Sequence, residues 1–200
     1  MTRIDIRPRL TRALGVSAEV SSDFDLNPGL GPPEGSVFRP AAVLVTIMAD
    51  EATVLLTKRS SALKHHPGQV AFPGGKVDPG DRGAVGAALR EAEEEVGLRQ
   101  DSVEVLGTLS PHLTVTGFEV TPVIAFAHGV FAPRPEAGEV EEAFFVPFDH
   151  VTDPAHFRIE ARRWRGVMRR YYAVPWGPYY TWGATARMLR GLADRLARCD

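Results

Sequence analysis

Apolar positions along the chain change period several times, and each change predicts an element. Ala41–Met48 is apolar except for Thr46, and Thr53–Lys58 is short and β-branched; Ala49-Asp50-Glu51-Ala52 between them predicts a hairpin. From about Gly83 the period becomes helical. Val85, Leu89, Ala92 and Val96 recur at i, i+4, i+7 and i+11 on one stripe, and Gly97 is placed to end the helix. Val103–Leu109, Phe118–Ala127 and Ala143–Val146 read as strands. Residues 157–182 hold every Trp and Tyr of the chain, with strand-like stretches either side of Gly166, and Ala184–Ala197 closes as an amphipathic helix. Before all of these, a weak helical pattern spans Ile4–Leu14, and turn formers crowd residues 27–36. The pattern therefore predicts an N-terminal extension and linker over residues 1–36 and a domain over 37–200. Strands placed before, between and after helices predict an α/β (α+β) sandwich, a mixed sheet flanked by helices.

One segment does not fit a regular element. Between Arg59 and Gly80 the chain is irregular, and five Gly and Pro residues fall between Pro67 and Gly75. A loop of that length inside a domain usually serves function.

Composition changes the picture mainly by exclusion. The 200 residues carry 25 acidic and 23 basic side chains, a net charge of −2, which speaks against a nucleic-acid partner held by a global positive field. Apolar residues at 44% and charged residues at 24% suit one globular domain. Cys199 is the one cysteine, so neither an internal disulfide nor a multi-cysteine zinc site is expected, and a reducing, cytoplasmic location is the natural reading. The apolar runs fall far short of the ~20 residues a membrane span needs, so no membrane association is expected. Three basic residues, Lys58, Lys64 and Lys76, are Lys and the rest are Arg, a residue suited to phosphate, although codon bias accounts for such a ratio more simply.

Chemistry concentrates in Arg90-Glu91-Ala92-Glu93-Glu94-Glu95-Val96-Gly97-Leu98. With Glu91 set at zero on a helical wheel, Glu95 lies at about 40°, Glu94 at about 300° and Glu93 nearly opposite at about 200°. Three carboxylates thus share a face, near a helix C-terminus where the macrodipole disfavours anions. Arg90 reaches Glu94 at i+4, but one guanidinium cannot neutralise three carboxylates. A divalent cation can, and hard oxygen donors suit Mg²⁺ or Mn²⁺. Phe72-Pro73-Gly74-Gly75, just upstream, lets the backbone approach a ligand closely and aim N–H groups at phosphate.

Gly75 together with the Arg90–Leu98 segment resembles the Nudix box, G-x5-E-x7-R-E-U-x-E-E-x-G-U with U aliphatic. Its second half matches at every fixed position. Its first half is one residue longer, 15 positions from Gly75 to Arg90 instead of 14, with Asp81 where a Glu is expected. Upstream, Leu55-Leu56-Thr57, Arg59-Ser60, Leu63-Lys64, His66 and Gly68-Gln69-Val70 through Gly75 are similar to the motif of the coenzyme A pyrophosphatase branch of that superfamily, in which an Asp-x-x-Asp element, here Asp78 and Asp81, follows the double glycine. Lys64 stands where Arg is more frequent.

The resemblance implies a Nudix-like fold and metal-dependent hydrolysis of the diphosphate of coenzyme A or its derivatives. The products would be 3′,5′-ADP and 4′-phosphopantetheine or its acyl form. It implies Glu91 and Glu95 as metal ligands, with Glu94 as third ligand or general base, and Arg90 in the catalytic group, more as the orienter of Glu94 than as a substrate contact. Arg59, Ser60, Lys64, His66, Gln69, Gly74 and Gly75 are the candidates for substrate binding. The partner is a small molecule, and the chain is expected to be a monomer or homodimer. The alternatives are another nucleoside diphosphate derivative, such as ADP-ribose or a nucleotide sugar, and a Nudix-fold binding module without catalysis. Glu139, Glu141 and Glu142 offer a further ligand or base, and His112 a base near neutral pH. Six Arg against Glu160 in residues 158–170 suit the 3′-phosphate, the acidic helix, or a solvated hairpin face.

Overall fold

A computed structural model describes residues 6–32, 34–164 and 166–199. Ile4, Pro33, Arg165 and Asp200, which entered the sequence reading, lie outside the described residues. The elements in chain order begin with helix α1 (Ile6–Gly15) and strands β1 (Ser21–Ser22), β2 (Arg39–Met48), β3 (Thr53–Arg59), β4 (Val70–Ala71) and β5 (Gly74–Lys76). Helix α2 (Gly83–Val96) follows, then β6 (Val103–Thr108), β7 (His112–Leu113), β8 (Phe118–Ala127) and β9 (Val140–Pro147). Helix α3 (Phe148–Thr152), strands β10 (Arg158–Trp164), β11 (Val167–Trp176) and β12 (Tyr179–Trp182), and helix α4 (Ala184–Ala197) complete the chain.

The apolar run of β2 is continuous because both of its faces are covered. Ala42, Leu44 and Met48 face α2, whereas Ala41, Val45 and Ile47 face the opposite layer. β2 runs parallel to β8 over ten residue pairs, from Arg39 opposite Phe118 to Met48 opposite Ala127, as expected for a parallel pair buried on both sides. The expected hairpin is present, with Ile47 opposite Val54 and Met48 opposite Thr53. Beyond that turn the strands diverge: β2 takes β5 and β8 as neighbours, and β3 takes β4 and β9. The main sheet follows the order β1-β7-β8-β2-β3-β4, with β5, β6 and β9 joined to β2, β8 and β3. Helix α2 covers one face, and α1, α3 and α4 cover the other, so the mixed sheet is flanked by helices as expected. β10, β11 and β12 form a separate antiparallel sheet.

Two differences from the sequence reading have physical causes. Part of the segment expected as an extension shares the core: α1 buries Ile6, Leu10 and Ala13, and β1 adds to the main sheet beside β7. The helix is short and its apolar positions few, so its pattern is weak in sequence although its packing partners, α4 and β6, are ample. On α2 the most buried positions are Ala87, Ala88, Ala92, Glu95 and Val96, while Val85 and Leu89 pack at the margin. Small side chains let the helix axis approach the sheet, and that approach takes Glu95 inward too.

Candidate active site

Helix α2 ends where the sequence places its stop. Gly97 adopts φ +72°, and its N–H and that of Leu98 donate to the carbonyls of Glu93 and Ala92. This fixes the last two turns against β5, whose Gly74 and Gly75 pair with Val43 and Ala42 of β2. Both glycines are needed for close approach. A Cβ on Gly74 would overlap the Ala42 carbonyl oxygen, and a Cβ on Gly75 would overlap the Glu91 carboxylate.

The three carboxylates separate as their angles on the helix dictate. Glu91 and Glu95, about 40° apart, both turn towards the Gly74–Gly75 edge. Glu95 is 4% exposed and accepts a hydrogen bond from the Gly74 N–H at 3.3 Å. Burial pushes its pKa up to about 8; the neighbouring charges of Glu91 and Glu139 add to the rise, and the Gly74 N–H and Arg59 oppose it. Glu91 is raised as well, by burial first, against the pull of Arg90. Glu94 stays largely exposed, with Arg90 Nη1 donating to it at 3.0 Å.

Arg90 is fully engaged. Its Nε and Nη2 donate to the two carboxylate oxygens of Asp81 at 2.9 and 3.0 Å, its Nη1 to Glu91 at 3.0 Å, and its Nη2 also to the Lys76 carbonyl. The bidentate grip on Asp81 closes the Asp78–Asp81 turn, where the Asp78 N–H donates to Asp81. Arg90, expected in the catalytic group as the orienter of Glu94, holds the β5–α2 loop, Glu91 and Glu94 together.

Among the described residues, no three His, Cys, Asp or Glu side chains are already grouped to hold a metal ion. The donor chemistry nevertheless fits a hard divalent cation. A buried carboxylate beside like charges is unfavourable when ionised, and a cation placed between Glu95 and Glu91 removes that cost.

The expected substrate residues divide into two groups. A cavity of about 550 Å³ is lined by Arg59, His66 and Gln69 among others, with Gly183 and Thr185 at the start of α4. Arg59 joins it to the acidic helix, since the same cation lowers the pKa of Glu95. The other four candidates do not line this cavity: Gly74 and Gly75 lie beside the carboxylates, and Ser60 and Lys64 stand apart from both. Ser60 is buried and its hydroxyl accepts the Ala62 N–H, and Lys64 is exposed on the loop. The loop is closed at its base, where the Arg59 N–H donates to the Gln69 carbonyl and the Gly68 N–H to the Arg59 carbonyl.

Of the three downstream acids, Glu139 acts on both Glu91 and Glu95, Glu141 is paired with Lys58 at 2.6 Å, and Glu142 accepts the Tyr179 hydroxyl. His112 is fully buried between Ser21 Oγ and Asp23 Oδ1, where it ties β1 to β7. Asp23, Trp164, Arg169, Tyr171 and Trp182 also line the cavity. Sequence reading weighed the arginines and aromatics of this set only in bulk and missed Asp23, whose role depends on a contact with His112 that no local pattern announces.

A model of the NUDIX domain matches residues 37–168. Over 156 residues the chain is 41% identical to an uncharacterised Nudix hydrolase designated NudL from Escherichia coli strain K12, covering 78% of this chain and 81% of that one. It is also 41% identical over 163 residues to the NudL of Pectobacterium atrosepticum, covering 80% and 83%. A solved structure of a MutT/nudix family protein from Enterococcus faecalis shares the fold, with a TM-score of 0.51 at 19% identity over 84% of this chain and 65% of that one. With the domain matching about two thirds of this chain and these relatives alike along about four fifths of theirs, the chain belongs to the Nudix hydrolase family.

Proposed function

We propose that this Nudix hydrolase cleaves the diphosphate of coenzyme A or a derivative of it, releasing 3′,5′-ADP and 4′-phosphopantetheine or its acyl form. One observation carries the proposal. The segment Leu55–Gly75, which is similar to the coenzyme A branch, runs from the cavity to the carboxylates, and its Arg59 serves both. A diphosphate lying across Arg59 would thus reach Glu91 and Glu95 while the rest of a large nucleotide occupied the cavity.

In this proposal Glu91 and Glu95 hold Mg²⁺ or Mn²⁺ at the Gly74–Gly75 edge. When bound, the cation supplies charge neutralisation of the diphosphate oxygens and a more acidic water. The chain's own groups do the rest. Gly74 permits the close approach of β5 to β2, and Gly75 that of β5 to the Glu91 carboxylate. Glu94, exposed and held by Arg90, takes the proton of the attacking water or completes the cation's shell. Arg90 and Asp81 keep the loop and both carboxylates in register, and Arg59 offsets negative charge on the substrate.

The test is product analysis by chromatography with Mg²⁺ or Mn²⁺ present and a panel of coenzyme A, ADP-ribose and nucleotide sugars. We expect 3′,5′-ADP from coenzyme A, and Glu95→Gln to lower that rate by at least about 100-fold, in line with losing a charge-stabilising group. Turnover of the other substrates with none of coenzyme A would overturn the proposal.

A further inference from the structure

The β10–β11 pairing sets Arg162 directly opposite Arg169, and both line the cavity. Like charges opposite one another weaken a sheet, so this pair needs a reason. Each guanidinium lies over an aromatic ring: Arg162 at 4.8 Å from the Trp182 centroid, and Arg169 at 4.9 Å from Trp164 and 5.7 Å from Phe24. Ring faces attract a cation but accept little from its N–H groups. Nε and Nη1 of Arg169 are shielded from solvent and have no hydrogen-bond partner. A charged donor left in that state is costly unless a ligand accepts from it.

The surroundings favour an anion. Arg59 and Arg170 also line the cavity, and the one acid among its described lining residues, Asp23, already accepts from the Val115 N–H at 2.8 Å and contacts His112 at 3.1 Å. The Asn27 side chain bonds the Arg170 N–H and carbonyl, at 2.8 and 2.9 Å, which pins β11 beside the N-terminal segment. Neither Glu91 nor Glu95 borders this cavity, so the anion received here is not the diphosphate that those carboxylates serve. Phe24, Asn27, Arg169 and Trp182 lie outside the residues that the family domain matches, whereas Arg162 and Trp164 lie within them.

We infer that Arg162 and Arg169 form a specificity subsite for a phosphomonoester that the substrate carries apart from its scissile diphosphate. This rests on the proposed coenzyme A reaction, whose substrate bears such a group on its ribose. Titration calorimetry on the full chain without metal tests it directly, using 3′,5′-ADP, 5′-AMP and inorganic phosphate as ligands. The wild type should bind 3′,5′-ADP about tenfold or more tighter than 5′-AMP, and tighter than phosphate alone. Arg169→Gln and, independently, Arg162→Gln should bring the two nucleotides close together, with kcat/KM for coenzyme A over its 3′-dephospho form falling in parallel. Equal binding of the two nucleotides by the wild type, a preference undiminished in both variants, or phosphate bound as tightly as 3′,5′-ADP would each overturn the subsite. The nucleotide preference without coenzyme A turnover would count against the proposed reaction and leave the subsite supported.

Discussion

At single residues, two adjacent glycines carry different constraints. A side chain at Gly74 meets backbone, the Ala42 carbonyl and Val43 Cα, and neither can yield without moving β2. A side chain at Gly75 meets the end of the flexible Glu91 side chain, which can swing away. Gly74→Ala should therefore destabilise the fold by about 3 kcal/mol or more. Gly75→Ala should leave the melting temperature within a few degrees of wild type yet depress hydrolysis strongly by displacing Glu91. Thermal melts and rates measured on the same preparations check both; similar melting of the two variants would contradict the distinction. The sequence made the glycines and the carboxylates visible, and helical spacing alone put Glu91 and Glu95 together. It did not reveal that Arg90 would bind Asp81 through both oxygens, because the turn that brings Asp81 back across nine positions is a tertiary contact.

At the level of elements, strong periodicity located structure well. Helices α2 and α4 span the stretches their apolar stripes predict, and β8 covers the run expected of it. The weak periodicity over Ile4–Leu14 pointed to α1 but not to its place in the core. Leu10 is fully buried among residues of the core, so Leu10→Ala should cost about 2–5 kcal/mol, an effect as large as for a residue in the central strands. Urea denaturation of that variant is the check, and a loss below 1 kcal/mol would mean that the segment contributes little. The Arg7–Glu104 pair, with bonds of 2.6 and 2.7 Å, fixes the same helix to β6. No local signal in the sequence joins residues 97 positions apart.

Across the molecule, a net charge of −2 conceals two opposed regions, the acidic end of α2 and the arginine-rich β10–β11 hairpin. Linkage between protonation and stability follows from the first. The folded-state pKa of Glu95 is raised to about 8 from an ordinary value near 4.5, so its contribution is intact below the lower value and is lost as pH rises through 8. A cation held by ionised Glu95 reverses that loss. Millimolar Mg²⁺ should therefore raise the melting temperature more at pH 8.5 than at pH 6, and Glu95→Gln should remove the difference. A Mg²⁺ increment that does not change with pH would contradict this account. By itself the sequence determined the elements with strong periods, the charged face of α2 and the family motifs, because spacing along a helix or strand is a local property. Only the tertiary structure decided that Glu95 is buried, that Ser60 and Lys64 stand apart from the cavity, that α1 packs into the core, and that Arg162 and Arg169 meet across two strands. Each of these depends on contacts between distant parts of the chain, formed when burial of apolar surface drives the layers together.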